Sequence, residues 1–304
     1  MKHRDAPALE ITELVKTFGD FRALDGLSLT VERGSVHGFL GPNGSGKSTA
    51  IRTLLGLLHP TEGSVRVLGE DPARTPQVLS RIGYVPGDVA LWPTLTGAEV
   101  LRALESLRGR PSNRRKEKEL VDAFQLDVRK RTREYSTGNR RKVSLIAALS
   151  IDADVLILDE PTAGLDPLME QVFIEHIRAA HAEGTTVLLS SHIMAEVEKL
   201  CDHVTVIKDG RVVEDGTLTQ LRHLSAHRVS ARMPDAEAFL ARHPSASRDG
   251  EAVTLTVDRA DLSAMLRDVL DAGGEDVLSQ PASLEEIFLE HYEVAPAEGG
   301  HHDR

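Results

Sequence analysis

The sequence predicts an α/β fold with a mostly parallel sheet, an antiparallel β portion, an inserted helical lobe and a small α+β domain near the C-terminal end. Three observations predict it. Apolar runs of strand character alternate with segments of helical period, the pattern of a parallel sheet covered on both faces. Between residues 92 and 150 that alternation gives way to helix alone, and near His223 it breaks a second time.

In chain order, "LSLTV" (27 to 31) and "VHGFL" (36 to 40) read as strands separated by the turn "ERG". The apolar spacing of "KSTAIRTLLGLL" predicts a helix from near Gly46 to near Gly56. "SVRVLG" and "RIGYVPG" follow as strands, the second closed by Pro86 and Gly87. The lobe offers "TGAEVLRALESLRG", "RRKEKELVDAFQL" and "RRKVSLIAALSI" as its helices. Strands return in "DVLILDE" (154 to 160), "GTTVLLSSH" (184 to 192) and "HVTVIKDGRVVEDG" (203 to 216), where "KDGR" is a hairpin turn needing Gly210 in the left-handed region.

These elements give a flexible N-terminus over 1–8, a main domain over 9–224 with its lobe at about 92–150, an α+β domain over 225–292 and a disordered tail over 293–304. Within 225–292, strands "RVSAR", "AVTLTV" and "DVLSQ" alternate with helices "DAEAFLARH", "ADLSAMLRDVLDAG" and "SLEEIFLEHY", a ferredoxin-like build. The tail "EVAPAEGGHHDR" is polar and glycine-paired.

A chain of 304 residues, 40% of them apolar, buries a full core without staples. Its one cysteine, Cys201, forms no internal disulfide, which suits an intracellular setting. No apolar run approaches the roughly 20 residues a spanning helix requires, so a membrane role would come through a partner. The net charge of -11 argues against a general nucleic-acid binder. Basic clusters at 108–119, 129–133 and 140–142 fit solvated or partner-facing surfaces, with contact to anionic lipid head groups as the alternative.

The chemistry centres on "GPNGSGKST", residues 41 to 49, which satisfies a phosphate-loop pattern with a strand before it and a helix after it. Its glycines let backbone N–H groups and a helix N-terminus face an anion. Lys47 would reach terminal phosphates, and the Ser48 hydroxyl would join a magnesium shell. Four apolar residues, "VLIL", deliver Asp159 to a strand end as the metal carboxylate. Glu160, next in the chain, is placed to align or deprotonate a water, which a hydrolase needs and a plain kinase does not. His192 closes another buried strand as a terminal-phosphate contact.

Taken together these motifs, spanning roughly residues 9 to 220, resemble the ATP-binding subunit of an ABC transporter. "GPNGSGKST" is similar to that family's phosphate loop, "VLILDE" to its second nucleotide motif, "AGLDP" (163 to 167) to its D-loop, and "SSH" to its switch-histidine segment. The resemblance implies that Phe18 stacks on adenine, and that Gly41, Pro42, Asn43, Gly44, Ser45, Gly46, Lys47, Ser48 and Thr49 wrap the phosphates. It implies ATP and Mg2+ as cofactors. It also makes "YSTGN" the signature, in which Ser136, Thr137, Gly138 and Asn139 meet ATP held by an opposite subunit in a head-to-tail dimer.

Three positions depart from the family pattern. Thr137 stands where a glycine is usual and Asn139 where glutamine is usual. Gly87 stands where a glutamine usually touches magnesium and links the ATP site to the helical lobe. Either Asp88 approaches the metal, directly or through water, or the coupling runs through backbone movement alone; Asp88 is the favoured alternative. "PGD", "YSTGN" and "LEEIFLEHY" resemble subunits of bacterial drug-resistance exporters. That resemblance implies a peripheral ATPase on the cytoplasmic side of the membrane. It would be bound to a permease through the lobe and Gly87–Pro93, with a small amphiphilic or drug-like cargo and no specific nucleic acid. The alternatives are a soluble ATPase of the same type acting on nucleic acid, the ribosome or complex assembly, and an importer ATPase.

Overall fold

The computed structural model describes residues 6–220, 227–257, 259 and 261–281. It divides into two compact units, Met1–Gly216 and Thr217–Arg304.

The first unit opens with an antiparallel hairpin of β1 (Leu9–Phe18) and β2 (Phe21–Val31). Sequence patterning finds only the end of β2 and misses β1. The reason is a series of register shifts between Ile11 and Thr17, which scramble the two-residue alternation that marks a half-buried strand. The N-terminal arm also orders earlier than expected: Ala8 is buried and its N–H donates to the Val31 carbonyl at 2.8 Å.

Next come β3 (Val36–Leu40), α1 (Lys47–Leu54), β4 (Glu62–Val67) and β5 (Ile82–Val85). The helical lobe holds α2 (Gly97–Arg108), α3 (Arg114–Ala123) and α4 (Thr137–Leu149). A reciprocal cap between Thr96 and Glu99 starts α2, and Gly109 in the left-handed region ends it. The chain re-enters the sheet with β6 (Val155–Asp159), α5 (Pro167–Ala182), β7 (Thr186–Ser191), α6 (Met194–Leu200), β8 (His203–Lys208) and β9 (Arg211–Thr217). Asp209 and Gly210, both at positive φ, make the two-residue turn joining β8 to β9.

Two sheets result, a six-stranded one in the order β5-β6-β7-β3-β8-β9 and a three-stranded antiparallel one in the order β2-β1-β4. Strands β5, β6, β7, β3 and β8 run parallel. All five residues of β3 and of β6 are buried, as expected of strands covered on both faces. One core joins the two sheets: Leu24 and Leu27 from β2, Phe39 from β3, Ile51 and Leu54 from α1, and Ile157 from β6 belong to a single buried cluster. Truncating a wholly buried anchor such as Phe39 to alanine costs about 3–5 kcal/mol, so this cluster fixes how α1 sits on the sheet.

The second unit contains β10 (His227–Arg232), α7 (Glu237–Arg242), β11 (Ser247–Asp249), β12 (Ala252–Val257), α8 (Leu262–Asp271) and β13 (Glu275–Pro281). Its sheet order, β11-β12-β10-β13, with two helices after the first and third strands, is the ferredoxin-like arrangement. Val229, Phe239, Leu255 and Val269 form its own core. The short strand β11 was not legible in the sequence. The helix expected over "SLEEIFLEHY" and the tail at 293–304 lie outside the described residues.

Candidate active site

Three adjacent strands end at one level. Leu40 pairs with Ser191 between β3 and β7, and Ser190 pairs with Asp159 between β7 and β6. The residues that follow these ends therefore converge: Gly41 to Thr49 after β3, Glu160 after β6 and His192 after β7. The Gly41 N–H donates to the Ser191 carbonyl at 3.3 Å, tying the loop to the neighbouring strand.

The loop needs its glycines for space. A Cβ on Gly41 would lie 2.4 Å from the Ile207 carbonyl oxygen. Gly46, at φ 109, caps α1 without a side chain, and a Cβ there would meet Leu24 and the Ala23 carbonyl at 2.7 and 2.8 Å. The N–H groups of the first turn of α1 are thus left to face whatever occupies the loop. Pro42 and Thr49 are half-buried, and Asn43 and Gly44 are exposed at the loop's outer edge. Ser48 is half-buried in the first turn of α1, while Ser45 is buried and its Oγ has no hydrogen-bond partner.

Lys47 is buried, with Nζ donating to the carbonyls of Gly41 at 2.6 Å and Pro42 at 3.0 Å. Burial draws its pKa down, and the neighbouring Glu160 carboxylate works against that shift. Lys47 Nζ lies 3.4 Å from Glu160 Oε1, while His192 Nδ1 lies 3.3 Å from Glu160 Oε2. Glu160 thus stands between Lys47 and His192. It holds that position at φ 47, a left-handed backbone conformation that a side-chain-bearing residue adopts at a cost of about 1–3 kcal/mol. Two bonds hold the residue there, from the Glu160 N–H to the carbonyl and hydroxyl oxygens of Ser190.

Asp159 is buried, with Oδ1 accepting from the Ser190 hydroxyl at 2.5 Å and Oδ2 left without a hydrogen-bond partner. An unpaired buried carboxylate oxygen costs free energy unless a cation satisfies it. With the hydroxyl of Ser48 at the head of α1, this oxygen suits an all-oxygen site for a hard divalent ion. Position 87 stands directly over it, since a Cβ on Gly87 would lie 3.1 Å from Asp159 Oδ2. Asp88 is exposed.

Ser136 caps α4, its hydroxyl oxygen accepting from the Asn139 N–H at 3.2 Å, which leaves its O–H free to donate. Ser136 and Thr137 are exposed and Gly138 and Asn139 half-buried. Gly138 is packed so closely on the chain's own D-loop that a Cβ there would meet the Gly164 carbonyl oxygen at 2.5 Å. At the tip of the β1–β2 hairpin Phe18 is 47% exposed, with the Lys16 ammonium 5.1 Å from its ring centroid.

Three residues of this region have roles the sequence did not show, and Arg141, expected within a solvated or partner-facing basic cluster, is buried instead. Ser190 anchors both Asp159 and Glu160. Glu196 on α6 is buried and accepts from the hydroxyls of Thr162 at 2.5 Å and Ser191 at 2.8 Å, joining the segments that follow β6 and β7. Arg141 on α4 is buried and donates to the carbonyls of Pro86 and Gly87, both at 2.5 Å. Each lies within an otherwise ordinary helix or strand, and only the tertiary pairing gives it a role.

Among the described residues no helix is long and apolar enough to cross a membrane. Residues 24–163 match the ABC transporter family model. Over 93% of this chain and 95% of the relative, the sequence is 36% identical to the daunorubicin resistance ATP-binding protein DrrA3 of Streptomyces coeruleorubidus. The Nod factor export ATP-binding protein I of Burkholderia lata is 35% identical over 92% of this chain and 95% of its own. Among solved structures, an ATP-binding subunit of an ABC transporter superposes with a TM-score of 0.67 at 31% identity, covering 71% of this chain and 92% of that one. A bacterial ABC transporter cassette, MJ0796, shares the fold with a TM-score of 0.62 at 23% identity over 69% of this chain and 98% of its own. The chain belongs to the ABC transporter family, as an ATP-binding subunit akin to those of drug-resistance and Nod factor exporters.

Proposed function

We propose that this chain is the ATP-hydrolysing subunit of an exporter, working with Mg2+ as a head-to-tail dimer beneath a separate membrane subunit. The observation that carries the reading is the meeting of Lys47, Glu160 and His192 within 3.4 Å contacts beside the unpaired Asp159 oxygen.

In this reading the loop from Gly41 to Thr49 wraps the phosphates of ATP with backbone N–H groups, and Lys47 moves from the Gly41 and Pro42 carbonyls to phosphate oxygens. Ser48 and Asp159 hold the metal, with Asp88 as the candidate further oxygen donor, directly or through water. Bound Mg2+ would neutralise charge on the phosphoryl oxygens. Glu160 accepts a proton from, or orients, the attacking water, and His192 steadies both Glu160 and the terminal phosphate. Phe18 supplies a ring for adenine. Ser136, Thr137, Gly138 and Asn139 close on the nucleotide of the opposite copy in the head-to-tail arrangement.

Binding closes the dimer and hydrolysis releases it, and the helical lobe with Gly87–Pro93 passes that motion to the permease. The protein then sits peripherally on the cytoplasmic side of the membrane. A small amphiphilic or drug-like cargo agrees with the daunorubicin resistance relatives. The test is magnesium-dependent ATPase activity measured on the chain alone and then with its candidate membrane partner in lipid. Strong stimulation, absent in Glu160→Gln, is expected. Brisk hydrolysis indifferent to every membrane partner would overturn the exporter assignment.

A further inference from the structure

The site lacks a side chain at position 87, yet the lobe is firmly attached to the backbone there. We propose that Arg141, on the signature helix α4, is the positioning residue that makes the 86–93 loop follow the helical lobe in this chain. It does so by gripping main-chain carbonyls in place of a side-chain link at position 87. This rests on the ATPase reading above and extends it to the coupling step.

Four observations carry it. First, the guanidinium donates to two successive carbonyls, Pro86 and Gly87, from Nη1 and Nη2, both at 2.5 Å. A planar fork satisfied on two consecutive acceptors fixes direction as well as distance, which a lysine ammonium does not.

Second, Arg141 is only 4% exposed and its Nε is buried without a hydrogen-bond partner. A buried, permanently charged group held so incompletely is destabilising unless carboxylates face it. Those facing it are Asp159, Asp88 and Glu160, which oppose the downward pull of burial on its pKa. The carboxylates of the hydrolytic site thus offset part of the burial cost of this lobe cation.

Third, Gly87 lies over Asp159, where even a Cβ would approach Oδ2 to 3.1 Å. Whatever shifts Gly87 shifts the roof of the Asp159 site. Arg141 holds that roof from the same helix whose first turn contains Thr137 and Gly138. Rotation of α4 thus reaches both the signature and the metal carboxylate through one rigid element.

Fourth, the far end of the loop is held by the lobe as well. The Thr132 hydroxyl donates to the Trp92 carbonyl at 2.6 Å, and the Arg133 N–H donates to the Pro93 carbonyl at 3.3 Å. The 86–93 segment is pinned to the lobe at both ends. The main polar cluster elsewhere, His37, Thr205, Asp215 and His203, is closed by its own hydrogen bonds and requires no ligand.

Trp92 is the chain's sole tryptophan and lies in this loop, so its fluorescence reports the coupling step directly. The experiment titrates ATP with magnesium into the full-length protein carrying Glu160→Gln, alone or combined with Arg141→Met or Arg141→Lys. It follows Trp92 emission and, separately, nucleotide binding by calorimetry. Methionine fills the buried volume without a donor, and lysine keeps the charge without the fork. The expected result is a nucleotide-dependent emission change in the parent that Arg141→Met loses at least fivefold, with affinity within threefold of the parent and a melting temperature that keeps the variant folded throughout the titration. Arg141→Lys restores only part of the amplitude. Full amplitude in Arg141→Met overturns the proposal while leaving the ATPase reading intact. Absence of nucleotide binding in the parent would instead overturn the ATPase reading. Should Arg141→Met fail to fold, Arg141→Lys decides: parental amplitude in that variant contradicts the bidentate link.

Discussion

Glu160 and Lys47 face each other across 3.4 Å although β6 and β3, which deliver them, are separated in the sheet by β7. The contact exists because Glu160 turns back at positive φ and Lys47 is buried in the first turn of α1. On the other carboxylate oxygen stands His192. One carboxylate thereby registers both the phosphate loop and the end of β7.

Glu160→Gln keeps the size and shape of the side chain but removes its basicity. Hydrolysis is expected to fall by roughly 10²–10⁴-fold, the usual worth of a positioned general base, with nucleotide affinity nearly unchanged. His192→Ala should reduce hydrolysis while sparing binding. Steady-state phosphate release measured beside calorimetric binding checks both, and equal loss of binding and turnover in Glu160→Gln would contradict its assignment.

Gly41→Ala introduces a Cβ 2.4 Å from the Ile207 carbonyl oxygen, a backbone atom that cannot simply rotate away. Overpacking of this kind costs about 1–3 kcal/mol. A lowered midpoint in chemical denaturation, together with at least tenfold weaker ATP binding, is the expected pair of results. An unperturbed midpoint would show the loop to be looser than the structure has it.

Ser136→Ala removes the cap of α4 and, with it, the hydroxyl proposed to meet the partner's nucleotide. Loss of the cap is worth about 1 kcal/mol, so a modest fall in stability is expected in the isolated chain. ATP-driven dimer formation should fall much further, because the hydroxyl's second role exists only between two copies. Ser136→Asn, which keeps a cap, should recover the stability and leave dimerisation impaired.

Stability should also depend on pH through His37. Its ring is buried on β3 with Nε2 2.8 Å from Thr205 Oγ1, and burial pushes its pKa from 6.5 down to about 4, with His203 adding to the shift and Asp215 opposing it. The folded value lies below the unfolded one, so the unfolded chain binds more protons between them. The contribution of His37 is therefore whole above pH 6.5 and is lost as pH falls towards 4, on the order of 3 kcal/mol in total. Denaturation from pH 7 to 4 should show the decline, and His37→Gln should flatten it by about that amount. An identical slope in the variant would place the acid sensitivity elsewhere.

Much of the site was legible because its chemistry is local in the chain. "GPNGSGKST" joins a strand to a helix without long-range information, and four apolar residues suffice to put Asp159 at a strand end. The lobe helices and the hairpin at Gly210 were legible for the same reason, through period, caps and turn residues. What escaped depended on tertiary pairing. Strand β1 hides its alternation behind three register shifts. Ser190, Glu196 and Arg141 look like ordinary residues of a strand and two helices, and they gain meaning only from partners 31, 34 and 55 positions away. The unusual Gly87 was visible as a missing side chain, whereas the arginine that grips its carbonyl was not.

The most direct test of the central claim is the mass of the Glu160→Gln protein in solution, by sedimentation velocity with and without ATP and magnesium. A composite ATP site predicts a 33.1 kDa monomer without nucleotide and a species of twice that mass with ATP, abolished by adding Ser136→Ala. A protein that binds ATP tightly yet stays monomeric at every concentration would contradict a site shared between two copies, and with it the proposed engine of transport.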